Sequence, residues 1–170
     1  MDNFDPALIS VVMPCYNAAP YVEEAVGSVL GQSYPHVELI VVDDGSTDGS
    51  SEILQRLTSE NPERVTLIYQ NRTGPFAARN QALARANGNY IAFLDADDTW
   101  HPDALFLMHN ALEAEPADIA YCGWQNVGVA ATDAQPKIPP AFDAPGAINH
   151  FLAHPPWPIN SALIRRTLID

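Results

Sequence analysis

Glu38-Leu39-Ile40-Val41-Val42-Asp43-Asp44-Gly45-Ser46-Thr47-Asp48 is the stretch that decides the fold of this 170-residue chain. An unbroken apolar, β-branched run ends in two adjacent carboxylates and an Asp-Gly turn, followed by residues suited to open a helix. A strand that is apolar without alternation is buried on both faces. Strands of a parallel sheet covered by helices read in this way.

The same strand, turn and helix order recurs on either side. Apolar runs at 8–13, 65–69 and 90–94 read as strands, and 38–42 joins them. Val22, Ala25, Val26, Val29 and Leu30 share one helical face, with Pro20 suited to the first turn. A second helix is expected over 48–60, capped by Thr47 or Asp48. A third follows Thr73-Gly74-Pro75, carries Ala78, Ala82, Leu83 and Ala86, and is expected to stop at Asn87-Gly88 in a left-handed cap. A fourth opens near Pro102 and runs to about 115. Right-handed crossovers then build an α/β fold, a Rossmann-like open, mostly parallel sheet with helices on both faces. Ligands of such sheets bind outside the carboxyl ends of the strands.

Eight of the 15 prolines fall between Pro116 and Pro158, around an expected strand at 119–124 and a short helix at 147–153. The segment 159–169 reads as a strand or helix start whose partners lie outside the chain. With no repeat and no low-complexity tract, residues 1–170 read as a single domain.

With 21 Asp+Glu against 8 Lys+Arg, the net charge is -13. Such acidity argues against nucleic acid and anionic membrane surfaces as partners, because phosphates are repelled. Cys15 and Cys122 are too few for a disulfide framework and are expected to be free, buried thiols in a reducing compartment. The N-terminus lacks signal-peptide character, and no apolar stretch approaches the roughly 18 residues of a membrane span. The expectation is a soluble, cytoplasmic chain with no membrane segment of its own, which can still associate with a membrane in a full-length protein.

Three clusters fall at expected strand ends. Pro14-Cys15-Tyr16-Asn17 offers a ring for stacking on a base and turn N–H groups for base edges or phosphate, or else a turn with a packed tyrosine. Asp43-Asp44 offers a carboxylate to the imino N–H of uracil, thymine or guanine, while loop and cap chemistry accounts for Gly45 and Asp48. In Asp95-Ala96-Asp97-Asp98, alternate residues of an extended chain turn Asp95 and Asp97 to one side across the small Ala96. Converging carboxylates call for a cation, and hard oxygen ligands suit Mg²⁺ or Mn²⁺, with water and a diphosphate completing the shell. The other reading is a solvated loop in which Asp98 or Thr99 caps the next helix.

Together with Ser10-Val11-Val12-Met13, Ala78-Arg79-Asn80, the run 90–98 and Pro102-Asp103, these motifs resemble family 2 glycosyltransferases of the GT-A fold over residues 8 to about 105. The resemblance implies a nucleotide-diphosphosugar donor (UDP-, GDP- or TDP-linked), a Mn²⁺ or Mg²⁺ cofactor, a saccharide or lipid-linked acceptor, and a role in cell envelope polysaccharide biosynthesis. It implies that Pro14, Tyr16 and Asn17 hold the base, with Tyr16 stacking, and that Asp44 beside Asp43 takes the imino N–H. Arg79 is implied beside the nucleotide, although a plain ion pair with a neighbouring carboxylate also accounts for it. Asp95 and Asp97, flanking Ala96, are the implied D-x-D pair. Asp95 would face the ribose or sugar, Asp97 would bind the metal with Asp95 near it, and Asp98 would support them. Residues 8–115 become a donor-binding half and 116–170 the proline-rich, incomplete start of an acceptor-binding half.

An inverting transfer also requires a base on the acceptor side. The resemblance implies an acidic pair far beyond the D-x-D motif, preceded by a segment like Asn160-Ser161-Ala162-Leu163-Ile164-Arg165-Arg166. After Asp103 the acids are Glu113, Glu115, Asp118, Asp133, Asp143 and Asp170, none in an adjacent Glu-Asp pair. The catalytic base is therefore expected outside a truncated chain. His36, His101, His109, His150 and His154 lack metal-ligand spacing, with His101 nearest to the clusters. Trp124 and Trp157 read as packing residues. A non-catalytic nucleotide-sugar binding domain is the main alternative. A sugar-phosphate nucleotidyltransferase fits less well, because loop 14–20 has no glycine and no cation. A phospho-receiver lacks its lysine, since Lys137 stands alone, and no G-x-G-x-x-G marks a dinucleotide fold.

Overall fold

A computed structural model of the chain describes residues 4–128, 134–139 and 158–169. Among these residues six strands form one sheet: β1 (Asp5–Cys15), β2 (Val37–Asp43), β3 (Val65–Tyr69), β4 (Gly88–Phe93), β5 (Ile119–Tyr121) and β6 (Ala162–Arg165). Four helices connect them: α1 (Val22–Leu30), α2 (Ser50–Glu60), α3 (Pro75–Leu83) and α4 (Ala104–Ala114). The spatial order is β3-β2-β1-β4-β6-β5. Strands β1 to β4 are parallel, and β6 alone runs the other way, between β4 and β5.

That order locates the cleft. The chain moves outward from β1 through β2 to β3, then returns to place β4 on the other side of β1. Loops leaving β1 and β4 therefore diverge, and the gap between them is where such sheets bind ligands.

Both sheet faces are buried, as the continuous apolar runs imply. Ile9, Val11, Met13, Leu39, Val41, Tyr90, Ala92 and Leu94 pack with Val22, Val26 and Val29 of α1, Leu54 and Leu57 of α2, and Leu105, Met108 and Leu112 of α4. On the opposite face Val12, Ile40, Val42, Ile91 and Phe93 meet Ala78 and Ala82 of α3. The two alanines lie one turn apart, and their small side chains leave the α3 backbone close to the sheet.

Several local expectations give way to tertiary contacts. Helix α2 starts after Gly49, which has φ 99°, rather than after Thr47 or Asp48. Asp48 still serves that end, accepting from the Ser50 N–H (3.1 Å) and hydroxyl (2.6 Å). Pro20 precedes α1 in a turn closed by the Tyr21 and Val22 N–H groups on the Ala18 carbonyl. Helix α3 ends at Leu83, before Ala86, and Asn87-Gly88 is no left-handed cap. Gly88 opens β4 instead, where an added Cβ would lie 2.4 Å from the Leu8 carbonyl oxygen. Neither Asp98 nor Thr99 caps α4, which follows Asp103. Gln32 takes that task from another element: its Oε1 accepts the Leu105 N–H (2.9 Å) and its Nε2 donates to the His101 carbonyl (2.8 Å).

Strand β5 ends at Tyr121, short of the expected 124, and Trp124 forms an isolated bridge to Lys137. Segment 159–169 has partners within the chain after all, because β6 pairs with both β4 and β5. Both cysteines are free, Cys15 buried and Cys122 half-buried. Among the described residues, no helix is long and apolar enough to cross a membrane. The expected helix at 147–153, together with Asp133, Asp143, His150, His154, Trp157 and Asp170, lies outside the described residues.

Candidate functional site

A cleft of about 400 Å³ opens where the loops after β1 and β4 diverge. Pro14, Tyr16, Asn17, Asp44, Arg79, Asp95, Ala96 and Asp97 line it, with Cys15, Ala18, Tyr21, Arg72 and Pro75 completing the wall. The site residues singled out at three separate strand ends therefore share one surface, with the exceptions of Asp43 and Asp98.

The loops after β1 and β2 are zipped together. The Asn17 N–H donates to Ser46 Oγ (3.0 Å), the Ala18 N–H to Ser50 Oγ (2.9 Å) and the Ala19 N–H to Asp48 Oδ2 (3.0 Å). In return Asn17 Oδ1 accepts the Thr47 N–H (2.8 Å). Asn17 has φ 49°, a left-handed conformation that asparagine tolerates better than most residues. Ser46, Asp48 and Ser50 thus fix the loop that carries Tyr16. Of the three, the sequence reading gives a role only to Asp48, as a helix cap, and the run of short hydroxyl and carboxylate side chains is the signal for the other two.

Asp43 and Asp44 separate by strand alternation. Asp43 is buried away from the cleft, where its carboxylate accepts the Ser46 N–H (3.0 Å) and the Ser51 hydroxyl. It holds the start of α2 in place. Buried Cys15 beside it has its thiol pushed up to about 11, by burial first and then by the Asp43 charge, so it is no nucleophile.

Asp44 is 3% exposed and faces the opposite way. Its Oδ1 accepts from Gln70 Nε2 (2.7 Å) and the Thr73 N–H (2.7 Å), and its Oδ2 accepts the Gly74 N–H (2.8 Å). Burial raises the pKa of this carboxyl, but the four hydrogen bonds from Gln70, Thr73 and Gly74 outweigh it, and the net shift is downward. Asp44 is therefore a fixed anion. Gly74, at φ 97°, bends the chain so that two successive N–H groups reach this carboxylate.

Two arginines offset the acids. Arg72, outside the residues chosen from sequence, holds its guanidinium 3.2 Å from the centroid of the Tyr16 ring. Arg79 Nη2 donates to Asp95 Oδ1 at 2.5 Å, so the plain ion pair weighed for Arg79 is present and its partner is a cleft acid. Arg79 Nε is buried without a partner among the described residues. Asp95 keeps its second oxygen free of protein donors among the described residues.

The turn at 95–98 is closed by the Asp98 N–H on the Asp95 carbonyl (3.0 Å). Asp97 is exposed at its apex, and no described residue hydrogen-bonds its carboxylate. Asp98 is half-buried and turned away, accepting from Asn160 Nδ2. Its pKa is raised by burial and then by the Asp97 charge, with the Asn160 bond opposing. His101 is exposed, 3.9 Å from an Asp103 oxygen, and does not line the cleft.

The chemistry of the donor set fits a shared cation. Asp97 and the free oxygen of Asp95 are hard anionic donors on one cleft wall. No group of three or more His, Cys, Asp or Glu side chains among the described residues makes a closed cage. An ion held there would keep most of its shell for water and phosphate oxygens, as Mg²⁺ and Mn²⁺ do.

The profile of the family described as Glycosyl transferase family 2 matches residues 10–166. A Bacillus subtilis (strain 168) protein named as a teichuronic acid biosynthesis glycosyltransferase, TuaG, is 51% identical over 106 residues, 62% of this chain and 41% of that protein. The structure of Staphylococcus aureus TarS 1-349 in complex with UDP-GlcNAc superposes with TM-score 0.65 at 28% identity, covering 75% of this chain and 37% of that one. The mannosyltransferase PcManGT from Pyrobaculum calidifontis, in complex with GDP-Man and Mn²⁺, gives TM-score 0.67 at 26% identity, covering 98% and 48%. The chain thus spans less than half the length of these relatives.

Proposed function

The chain belongs to glycosyl transferase family 2, and from that premise we propose that it carries the donor site of a metal-dependent, inverting glycosyltransferase. The reaction moves a sugar from a nucleotide-diphosphosugar to an acceptor hydroxyl. Residues 8–115 serve as the donor-binding half and 116–170 begin the acceptor-binding half. The observation that carries this reading is the convergence of Tyr16, Asp44, Arg79, Asp95 and Asp97 on one cleft at the switch point of the sheet. The UDP-GlcNAc complex of TarS and the GDP-Man and Mn²⁺ complex of PcManGT support the donor class and the cation.

The roles proposed for these residues join the family resemblance to that geometry. Pro14 and Asn17 shape the loop that presents the Tyr16 ring to the base. Asp44, held ionised, accepts an imino N–H, which uracil, thymine and guanine carry and cytosine and adenine lack. Asp43 acts at a distance, by anchoring the loop that starts α2. Arg79 orients Asp95 toward the ribose or sugar, and Ala96 leaves room for it. Asp97, with Asp95, would hold Mn²⁺ or Mg²⁺. When bound, that ion supplies Lewis-acid stabilisation of the negative charge that develops on the leaving diphosphate. Arg72 and Arg79 add fixed positive charge to the same wall.

No base is assigned in the chain. Of the described acids after Asp103, Glu113 is engaged by Tyr90 and Arg165, and neither it, Glu115 nor Asp118 lines the cleft. The name of TuaG points to an envelope polysaccharide, so a saccharide or lipid-linked acceptor at the cytoplasmic face of a membrane is the proposed partner.

Calorimetry with UDP, GDP and TDP, each with and without Mn²⁺, tests the reading. At least one nucleotide is expected to bind, and Mn²⁺ to tighten it. Asp97→Asn is expected to abolish that tightening, while Glu63→Gln on the outer surface leaves it intact. A folded protein that binds none of the three overturns the donor-site reading.

A further inference from the structure

Asn160 stands far from the donor motifs in sequence, yet the sheet brings it to them. Strand β6 pairs with β4 in antiparallel register, Ala92 with Leu163 and Ile91 with Ile164. Just before β6 the chain leaves the strand register in a 3₁₀ turn at Ile159–Ser161, which lays Asn160 against the turn at 95–98. The lone antiparallel strand therefore delivers a residue of the expected acceptor half to the D-x-D turn.

Asn160 is held there from several sides. Its carbonyl accepts the Trp100 indole N–H (2.5 Å). The next residue, Ser161, is anchored by its hydroxyl and its N–H on the Pro158 carbonyl, and its own carbonyl takes the Cys122 N–H (2.9 Å). With the backbone pinned, Nδ2 donates to Asp98 Oδ2. The orientation of the amide follows from chemistry, since an ionised carboxylate only accepts and must meet the NH₂ side.

The same amide carries a cost. Asn160 Oδ1 is buried with no partner among the described residues. An unpaired buried acceptor destabilises a fold, so packing alone does not account for an asparagine at this position. Polar side chains retained against stability mark positions where a fold serves a site.

The bond acts on the turn that carries Asp97. One tie closes that turn, the Asp98 N–H on the Asp95 carbonyl, and another is the Asp98 carboxylate on Asn160, while the Arg79–Asp95 ion pair and the Trp100 N–H on Ser28 Oγ (3.2 Å) hold its flanks. Asp97 lies between the two ties, with no described residue holding its own carboxylate.

We propose that Asn160 is a positioning residue of the donor site: by donating to Asp98 across the β4–β6 seam, it sets where Asp97 presents its carboxylate to a divalent cation and a diphosphate. This inference rests on the reading of Asp97 given under Proposed function. It adds a coupling, because the segment that leads into the acceptor half orders the metal side of the donor half.

The experiment is calorimetry on the full chain with UDP and GDP, each with and without Mn²⁺. If Mn²⁺ tightens neither nucleotide on the parent protein, the reading of Asp97 fails and the inference falls with it. If it does, Asn160→Ala is expected to lose about tenfold of the Mn²⁺-dependent gain, the scale of one hydrogen bond to a charged group, while metal-free affinity stays within about twofold. A merely structural role would lower both arms together. Asn160→Asp, which sets two carboxylates face to face, is expected to lose at least as much. Asn160→Asp combined with Asp98→Asn restores the bond with donor and acceptor exchanged, and is expected to return the gain to within about threefold of the parent. Asn160→Gln, which keeps the amide but displaces it by a methylene, carries the same expectation as the alanine variant should that variant fail to fold. The proposal is overturned if the alanine or glutamine variant keeps the gain within about twofold, or if the exchanged pair stays as weak as Asn160→Asp alone.

Discussion

The Arg72 guanidinium covers one face of the Tyr16 ring, 3.2 Å from its centroid, inside the cleft proposed to receive a base. A cation–π contact in an exposed setting stabilises by about 0.5–1 kcal/mol, and base–aromatic stacking by about 1–3 kcal/mol. A base arriving on that face therefore displaces Arg72 and leaves its charge free for the phosphates. Tyr16→Ala is expected to weaken binding of UDP or GDP by roughly 5- to 100-fold, and Tyr16→Phe by less than about threefold, because the ring carries the contact. Calorimetry on the two variants checks this, and equal losses would rule out stacking.

Asp44 supplies a pH-dependent part of the stability. Its folded pKa lies below the ordinary 3.8, so the contribution is fully present above that value and is lost as pH falls through the lowered one. Asp44→Asn puts an amide N–H₂ against donors that need an acceptor. The expected destabilisation is about 1–3 kcal/mol at neutral pH, or roughly 3–10 °C in Tm. Thermal melts from pH 7 downward should show the gap between parent and variant narrowing below about pH 4.

His109 is the corresponding group on the other side of the sheet. Its ring centroid lies 4.6 Å from that of Tyr34 and 4.8 Å from that of Tyr90, and Nε2 lies 3.2 Å from the Tyr34 hydroxyl. Burial holds the imidazole below 6.5, with Glu113 opposing and Arg165 assisting. The neutral ring is the native form, so stability is full above pH 6.5 and falls as pH drops through the lowered native value. His109→Phe keeps the ring packing and removes the titration. Its Tm is expected to decline less than that of the parent between pH 7 and pH 5, as followed by circular dichroism.

Gly88→Ala tests the β1–β4 seam. The added Cβ would lie 2.4 Å from the Leu8 carbonyl oxygen and 2.8 Å from Ser10 Oγ, and the nearer atom is strand backbone that cannot rotate away. A loss of about 3–5 kcal/mol is expected in urea denaturation, whereas Gly27→Ala, inside α1 with open space around it, should raise stability by about 0.5–1 kcal/mol.

Residues near one another in the chain carried the readable part of this protein. A run such as Leu39 to Val42, β-branched and closed by turn residues, reads as a doubly buried strand, and the polar residues that follow it read as its end. Parallel pairing then brings those ends to one side of the sheet, so Tyr16, Asp44 and Asp95 could be placed at one site from their order alone. Reading failed where a residue answers to a distant partner. Gly88 serves the Leu8 carbonyl and not the end of α3, and α4 is capped by Gln32 rather than by a neighbour.

The adjacent Asp43 and Asp44 mark the boundary between the two kinds of information. Composition and spacing placed both carboxylates at the end of β2, and strand alternation alone turns them apart. Which of them meets the cleft depends on the Thr73-Gly74 backbone, which arrives from the end of neighbouring β3 about thirty residues on and holds Asp44 ionised. Arg72 over Tyr16 and Asn160 on Asp98 are of the same kind. Local sequence sets dihedral preference and burial pattern, whereas such contacts depend on chain ends brought together by sheet order and register, which no short window of sequence contains.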